Sequence, residues 1–224
     1  MRTVVLFSGG LDSTTVLAMV IARGDEAFPL TVAYGQRHRV ETEKARRILD
    51  RYGLAARVRE VTVDLSFLSS SSLINTDLAV PGSADTAIPN TYVPARNLVF
   101  LSLASAYAED IGATRIAIGV NALDYSGYPD CRPEFIEAFN RVLATGTKAG
   151  VAGGGIIVEA PLIDLSKKEI VQLGRGLGVD HAMTHSCYDP DPEGRACGAC
   201  DSCRLRLKGF AEAGITDPAP YQPG

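Results

Sequence analysis

The chain of 224 residues contains no tryptophan and only three histidines, and its longest apolar run covers residues 16–22. A helix that spans a bilayer needs about 20 apolar residues, so this run is too short to cross a membrane. Basic residues are not in excess, because 22 lysines and arginines stand against 26 aspartates and glutamates. This balance supplies little of the electrostatic attraction that drives nucleic-acid binding, and we expect no nucleic-acid partner.

A signal-peptide pattern is also missing, because the first residues predict a short strand that breaks at Ser8-Gly9-Gly10. We therefore expect a cytoplasmic location, where the five cysteines bind metal or act in catalysis rather than form disulfides. With 46% hydrophobic and 21% charged residues, the composition is that of a soluble globular protein. The length favours a single domain over residues 1–224.

Segments rich in valine and isoleucine alternate along the chain with segments of helical periodicity. The predicted strands are residues 3–7, 30–34, 58–63, 115–120 and 156–160. The predicted helices are residues 12–22, 40–52, 97–111, 133–143 and 202–213, with a further one opened by a capping box of Ser166 and Glu169. The alternation predicts an α/β fold, a parallel sheet with helices on both faces, which binds ligands beyond the carboxyl ends of its strands.

Residues 65–93 break this alternation, with four consecutive serines and two prolines. A loop of this length is uncommon in a compact domain unless it is functional or mobile. We interpret it as a lid or an interface arm, and a variable insertion is the alternative.

One glycine-containing loop joins the first predicted strand to the first predicted helix. Its residues are Ser8, Gly9, Gly10, Leu11, Asp12, Ser13 and Thr14. Glycines let the backbone approach a ligand closely, and consecutive N–H groups at a helix N-terminus attract anions. We predict that this phosphate loop binds ATP and that Asp12 holds Mg²⁺ or caps the helix. The alternative is a turn that merely joins strand to helix. The Gly-Lys-Ser/Thr end of a Walker loop is missing.

Four of the five cysteines are spaced C-x9-C-x2-C-x2-C, at Cys187, Cys197, Cys200 and Cys203. Four thiolates fill the tetrahedral shell of zinc and leave no position for a catalytic water. We therefore predict a structural Zn²⁺ site in a submodule at residues 187–206. An iron–sulfur cluster is the alternative, and a brown protein would indicate it.

Several motifs carry a family resemblance. The phosphate loop resembles the SGGxDS signature of the pyrophosphatase-loop ATP enzymes, and residues 161–170 are similar to the PLxxxxKxE(V/I) segment of amidating members such as GMP synthetase. Further matching segments are residues 34–38 (YGQRH), 92–97 (YVPARN), 119–121 (GVN), 124–135 (DYSGYPDCRPEF), 184–188 (THSCY) and 197–204 (CGACDSCR). Their order and spacing resemble, over nearly the whole chain, the 7-cyano-7-deazaguanine synthase family of queuosine biosynthesis.

Two residues depart from that family's pattern. Ala95 stands where the family usually has glycine, and the added methyl group is tolerable if φ is negative there. His185 stands where tryptophan is common, and we interpret it as packing against the cysteine loop.

The resemblance implies an ATP-dependent ligase that converts 7-carboxy-7-deazaguanine and ammonia to 7-cyano-7-deazaguanine. Transfer of AMP, with Mg²⁺ present, would turn the carboxylate into a mixed anhydride, and ammonia would then give an amide. A second activation, of the amide oxygen, would give the nitrile. We also expect a homodimer, for which the apolar helix over residues 98–108 could serve as interface or as core.

Residue chemistry suggests roles within this reaction. The predicted catalytic residues are Asp12, Lys167, Arg96, Asp130 and Arg132. The predicted substrate-binding residues are Gln36, Arg37, His38, Tyr125, Tyr128, Asp130 and Arg132. Cationic side chains such as Lys167, Arg37 and Arg96 would stabilise charge on pyrophosphate. The Asp130 carboxylate would accept the base's N–H groups, a tyrosine would stack on the ring, and Arg132 would pair with the substrate carboxylate. The alternative for each is a loop residue that satisfies its own backbone.

Three rival functions stay open at this point. The first is a tRNA-thiolating ATP enzyme in which Cys131 passes sulfur. The second attaches a deazaguanine to a protein terminus through the same acyl-adenylate. The third is a zinc-ribbon nucleic-acid module with Arg204, Arg206 and Lys208 as its basic face, against which a solvated helix face is the simpler interpretation.

Overall fold

The computed structural model describes residues 1–35, 40–80, 88–123 and 127–223, with backbone only for residues 40–42. Within these residues five strands form one parallel sheet in the order β3-β2-β1-β4-β5. The strands are β1 Arg2–Leu6, β2 Glu26–Ala33, β3 Arg59–Thr62, β4 Arg115–Ala117 and β5 Ile157–Glu159. The helices are α1 Leu11–Ala22, α2 Val40–Arg51, α3 Arg96–Ile111, α4 Pro133–Gly146, α5 Lys148–Val151, α6 Lys167–Gly176 and α7 Asp201–Glu212.

Helices cover both faces of this sheet, as predicted. Along β1 and the residue after it, Val4 and Leu6 pack with α3 and α4 on one face. Val5 and Phe7 pack with α1, α2, α6 and α7 on the other face. All four side chains are buried, which explains why the central strand is a continuous apolar run rather than an alternating one.

Strand β2 begins four residues before its predicted start and contains Pro29, a residue usually confined to strand edges. The Leu30 carbonyl accepts a hydrogen bond from the Phe7 N–H at 2.9 Å, on the β1 side. Alternate residues of a strand bond to opposite neighbours, so the nitrogen of Pro29 faces the β3 side. Pairing with β3 starts only at Leu30, and the missing N–H of Pro29 therefore costs no ladder hydrogen bond.

The long loop has neither helix nor strand in its described parts, residues 65–80 and 88–93. It is nevertheless packed, because Leu65, Leu73, Ile74 and Val93 are buried together with Tyr34 at the end of β2. The described part of the loop thus covers the carboxyl end of the sheet.

The strand order reverses beside β1, since β2 and β3 lie on one side of it and β4 and β5 on the other. Such a switch point opens a crevice at the carboxyl ends of the strands, where ligands bind in folds of this type. Of the helices in the described residues, none is long and apolar enough to cross a membrane.

Candidate active site

A cavity of about 260 Å³ lies at this switch point. Its walls come from the carboxyl ends of β1, β2 and β4, the phosphate loop, the start of α3 and the segment around His185. The predicted phosphate loop therefore opens into a cavity that is large enough to hold part of a ligand.

Close backbone contacts hold the phosphate loop at one end of the cavity. Gly9 has a φ of +78°, and a Cβ there would lie 2.9 Å from the Ala45 Cα of helix α2. A Cβ at Gly119, just after β4, would lie 3.0 Å from the Ser13 nitrogen. Only glycine leaves room for backbone segments this close together. The loop backbone is therefore packed between α2 and the segment that follows β4.

Hydroxyl groups organise the inside of this loop. The Ser13 Oγ accepts from the Ser8 N–H at 3.3 Å and lies 3.1 Å from the Ser8 Oγ. The Ser8 Oγ accepts from the Gly10 N–H at 3.3 Å. Ser8, Gly10, Leu11, Asp12 and Ser13 line the cavity, whereas Gly9 and Thr14 are buried behind it.

Lys167 and Asp12 form an ion pair at the start of α1. The Lys167 Nζ donates to both carboxylate oxygens of Asp12, at 2.8 and 2.9 Å. The N-cap of α1 is Gly10, with no side-chain cap, so Asp12 does not cap the helix; the Mg²⁺ role stays a prediction. A Cβ at Gly209 of α7 would lie 2.8 Å from the Lys167 Cβ, so α7 packs tightly on the lysine stem. The ammonium group is thereby fixed beside the phosphate loop.

Arg96 is the first residue of α3 and lines the cavity. Its guanidinium lies 5.7 Å from the centre of the Tyr34 ring, and Nη1 donates to the Tyr34 hydroxyl at 3.4 Å. Burial acts to lower the pKa of Arg96, but the interactions with Tyr34 and Tyr188 outweigh it and hold the pKa above its usual value. Arg96 is thus a permanent cation in an aromatic part of the cavity.

Asp130 caps the helix that carries Arg96. Its Oδ2 accepts from the Asn97 N–H at 2.9 Å, and the Asn97 Nδ2 donates to the Asp130 carbonyl at 3.2 Å. Burial raises the pKa of Asp130, although the hydrogen bond from Asn97 opposes this. The structure shows the backbone-satisfying role for Asp130, and its contact with a substrate base stays a prediction.

Ala95, immediately before Arg96, has a φ of +54°. The condition of a negative φ is therefore not met, and the alanine is held in a left-handed conformation that costs an L-residue about 1–2 kcal/mol. Strain of this kind is often found at functional sites.

Ala95→Gly is expected to stabilise the chain by about 0.5–1 kcal/mol, because glycine adopts a positive φ without strain. The matched control is Ala106→Gly, at an exposed position of the same helix, which should destabilise the chain by about 1 kcal/mol. Thermal unfolding should therefore shift in opposite directions for the two variants, and a lower midpoint for Ala95→Gly would contradict the strain.

The structure places the remaining predicted substrate residues differently: one lines the cavity, one is exposed, and the others lie outside the described residues. Tyr128 lines the cavity, with its hydroxyl 2.6 Å from the Thr91 Oγ1 and its ring 5.6 Å from that of Tyr92. Arg132 is exposed at the N-cap of α4 and does not line the cavity. The other predicted residues, Gln36, Arg37, His38 and Tyr125, lie outside the described residues.

His185 fastens the phosphate loop from the side of the cysteine loop. Its backbone N–H donates to the Gly9 carbonyl at 3.0 Å. Its ring nitrogen Nδ1 lies 3.1 Å from the Lys44 Nζ. An ammonium group only donates, so Nδ1 accepts in this contact. Burial and the charge of Lys44 lower the pKa of His185 to about 4, which leaves the ring neutral at pH 7. His185 thus does more than pack against the cysteine loop.

The four predicted metal ligands are brought together. All four sulfur atoms of Cys187, Cys197, Cys200 and Cys203 lie within 4.8 Å of one another, and the Cys197–Cys203 pair is 3.9 Å apart. Tetrahedral zinc with Zn–S bonds of about 2.3 Å requires sulfur separations of about 3.8 Å. The cluster could therefore hold a metal.

Charge in this cluster is tightly coupled. Hydrogen bonds with Cys187 and Cys203 lower the pKa of Cys200, and hydrogen bonds with Cys187 and Cys200 raise the pKa of Cys203. One thiolate is thus stabilised at the expense of its neighbours, and a divalent cation would allow all four to ionise.

The basic face proposed for nucleic-acid binding is not continuous. Arg206 is buried and paired with Asp217 through contacts of 2.7 and 2.9 Å, while Arg204 and Lys208 are exposed. The guanidinium of Arg206 also donates to the Thr184 Oγ1 at 2.7 Å. Arg206 therefore joins α7 to neighbouring segments.

Sequence reasoning missed several residues at the cavity. Tyr34 follows β2, and its place at a strand's carboxyl end could have identified it. Asn97 and Phe100 lie on the first turns of α3, and the apolar composition of this helix gives no such signal. Lys44 carries no local signal either, because its partner His185 is 141 residues away.

Comparison with known proteins identifies the family of this chain. A model described as queuosine biosynthesis protein QueC matches residues 2–214. A 7-cyano-7-deazaguanine synthase from Magnetococcus marinus is 55% identical over 225 residues, covering 99% of this chain and 97% of the relative. The synthase of the same name from Kineococcus radiotolerans is 56% identical, covering 98% of this chain and 97% of the relative.

Solved structures resemble the fold at lower identity. A 4-thiouridine synthetase, crystallised with RNA and bound ATP, has a TM-score of 0.53 at 19% identity and covers 98% of this chain and 47% of its own. An NMN synthetase from Francisella tularensis has a TM-score of 0.52 at 16% identity and covers 96% of this chain and 77% of its own. At these identities the likeness shows a shared fold.

Proposed function

This chain belongs to the family of queuosine biosynthesis protein QueC, and we propose that it is an ATP-dependent ligase that makes 7-cyano-7-deazaguanine. The proposed substrates are 7-carboxy-7-deazaguanine, ammonia and two molecules of ATP. The products are the nitrile, two AMP and two pyrophosphate.

The observation that carries the proposal is that one cavity contains both kinds of group the reaction needs. Its phosphate-loop end offers glycine backbone, serine hydroxyls and the paired Lys167 ammonium. Its other end offers the half-buried Arg96 guanidinium and aromatic rings from Tyr34, Phe100 and Tyr128. A nucleotide and a planar heterocycle that carries an anionic group could therefore meet in this space.

The proposed chemistry uses these groups for positioning and charge stabilisation. A carboxylate is a poor electrophile, because its leaving group would be oxide. Bonding of a carboxylate oxygen to the α-phosphorus of ATP releases pyrophosphate and makes AMP the leaving group. The phosphate loop holds the phosphate oxygens, and Lys167 stabilises the negative charge that develops on pyrophosphate.

The second half repeats the activation on the amide. Ammonia displaces AMP to give the amide, whose oxygen then takes a second AMP from ATP. Loss of this AMP and of both protons of the amide nitrogen leaves the nitrile. The first AMP takes one oxygen of the carboxylate, and the second AMP takes the oxygen that remains in the amide. The same phosphate loop could serve both steps because both oxygens are attached to the same carbon of the substrate.

Two metal ions belong to the proposal. Asp12 would hold Mg²⁺, which neutralises charge on the triphosphate when bound. The four clustered cysteines would hold Zn²⁺, which would fix residues 187–206 as a structural submodule of the single domain. The expected homodimer and cytoplasmic location stay predictions.

The thiolation rival requires a reactive Cys131, and the environment of this residue argues against it. Burial and the neighbouring Asp130 raise the pKa of the Cys131 thiol to about 12. The Asn97 Nδ2 donates to its sulfur at 3.3 Å. At pH 8 about one molecule in ten thousand would carry the thiolate, which is the nucleophilic form.

Iodoacetamide at pH 8 is therefore expected to label Cys131 in the folded chain at less than about 1% of its rate in the urea-unfolded chain. The labelling rate should rise with pH, because the thiolate fraction increases toward the raised pKa. Peptide mass spectrometry measures both rates. Comparable rates in the folded and unfolded chain would restore the thiolation rival.

The direct test of the function is incubation of the purified chain with 7-carboxy-7-deazaguanine, ATP, Mg²⁺ and ammonium. We expect mass spectrometry to detect the nitrile and two AMP for each nitrile formed. A parallel reaction with tRNA and a sulfur donor should release no pyrophosphate. Absence of the nitrile with an intact metal site would refute the proposal.

A further inference from the structure

We propose that Arg96, and not Arg132, binds the carboxylate of the substrate and so determines that the enzyme accepts the acid. This inference rests on the proposed function and assigns one subsite within it. It concerns which end of the cavity receives the anion before AMP is transferred.

The first support is the charge balance of the cavity. Lys167 is already paired with Asp12, through contacts of 2.8 and 2.9 Å. Among the described residues Arg96 forms no ion pair with an aspartate or glutamate, and its hydrogen bond and ring contact are with Tyr34. Asp130 is near enough to interact with its charge, but the Asp130 carboxylate accepts from the Asn97 N–H instead. A half-buried cation that no carboxylate contacts is costly, and a bound substrate carboxylate would reduce that cost.

The second support is the way in which the protein holds this guanidinium. The guanidinium lies over the Tyr34 ring, and a planar guanidinium fork matches a carboxylate in bidentate fashion. Tyr34 in turn packs on Phe100 with ring centres 5.4 Å apart. The guanidinium is therefore held before any ligand arrives, which reduces the entropy cost of binding.

The third support is the backbone beneath it. Ala95 is held at a φ of +54°, and Asp130 caps the next N–H of the same helix turn at 2.9 Å. Both features fix where α3 begins and hence where Arg96 enters the cavity. Strain retained next to a cavity-lining cation is typical of a functional position.

Arg132 lacks these features. It is exposed at the N-cap of α4 and is not among the residues that line the cavity. A carboxylate bound there would lie outside the space that the phosphate loop shares. Transfer of AMP requires the carboxylate and the α-phosphate in one space, which favours Arg96.

The two steps of the proposed reaction supply the test, because the acid is charged and the amide is neutral. We expect Arg96→Gln to raise the KM for 7-carboxy-7-deazaguanine about 30-fold or more, since a charged hydrogen-bond pair is lost. The KM for the amide, assayed separately by its conversion to the nitrile, should change less than about threefold. The KM for ATP should also stay within that range.

Two further variants distinguish a specific loss of acid binding from a general folding defect. Arg96→Lys keeps the charge without the planar fork and should recover part of the acid's affinity. Tyr34→Phe removes the hydroxyl at 3.4 Å and should raise the acid's KM by a smaller factor. The matched control is Arg59→Gln, because Arg59 makes a similar contact with the Tyr107 ring at 5.8 Å on an exposed part of β3. This control should leave all three KM values unchanged.

The outcomes separate the inference from the proposed function. If the wild-type chain makes no nitrile from acid or amide, the function itself fails. If the wild-type chain is active but Arg96→Gln raises the KM values for acid and amide equally, or raises mainly that for ATP, the subsite is wrong. A selective loss of acid affinity in Arg132→Gln, with Arg96→Gln unaffected, would overturn it as well.

Discussion

Replacing Lys167 by methionine is expected to lower kcat for nitrile formation by about a thousandfold. The ammonium group is fixed beside the phosphate loop by both oxygens of Asp12 and by the close approach of Gly209. A preorganised charge that stabilises a departing pyrophosphate contributes more than it would in water, and removing one such donor typically costs 10²–10³ in rate. Pyrophosphate release under saturating ATP and acid measures the effect.

The matched control for this prediction is the adjacent lysine. Lys168→Met removes the same charge from the next residue of α6, where the side chain is exposed. Its kcat should stay within about twofold of the wild-type value. A loss of less than tenfold in Lys167→Met, with the fold intact by circular dichroism, would show that Lys167 does not act on the reacting phosphates.

Replacing Cys200 by serine is expected to abolish metal binding and to destabilise the chain by about 3 kcal/mol or more. The four sulfur atoms lie within 4.8 Å of one another in a loop that has little other apolar contact. A structural zinc site contributes folding free energy directly, and its loss removes that contribution. For a chain of this size the unfolding midpoint should fall by about 6–12 °C.

Elemental analysis and a thermal melt check this prediction together. The wild-type chain should contain about one zinc per chain, and Cys200→Ser should contain almost none. Cys131→Ser is the control for metal content, because Cys131 lies outside the cluster. Iron and acid-labile sulfide in the wild-type protein would instead show that the cysteines hold an iron–sulfur cluster.

Most of the fold followed from local sequence pattern. The Ser166–Glu169 capping box is present with both of its hydrogen bonds, because it depends only on residues three apart. The start of β2 was wrong because Pro29 is permitted there by the position of β3, which no local pattern reveals. Strand ends depend on neighbours that are distant in sequence, and they were predicted less accurately than helix ends.

The site residues likewise fall into those that local sequence patterns identified and those that depend on distant contacts. The phosphate loop and the four cysteines could be identified because their chemistry depends on short spacings. Asp130 was interpreted from its charge, but the structure places its carboxylate on the Asn97 N–H, a contact across 33 residues. The φ of Ala95 depends on where α3 begins, and residue identity alone left its sign open.

The central claim is that ATP gives AMP to the substrate's own oxygen, and isotope transfer tests it most directly. The acid labelled with ¹⁸O at both carboxylate positions would be converted with unlabelled ATP and ammonium. Each of the two AMP molecules formed should then contain one ¹⁸O, because one oxygen leaves in each step, and pyrophosphate should contain none. Unlabelled AMP, or ¹⁸O in phosphate or pyrophosphate, would contradict the account.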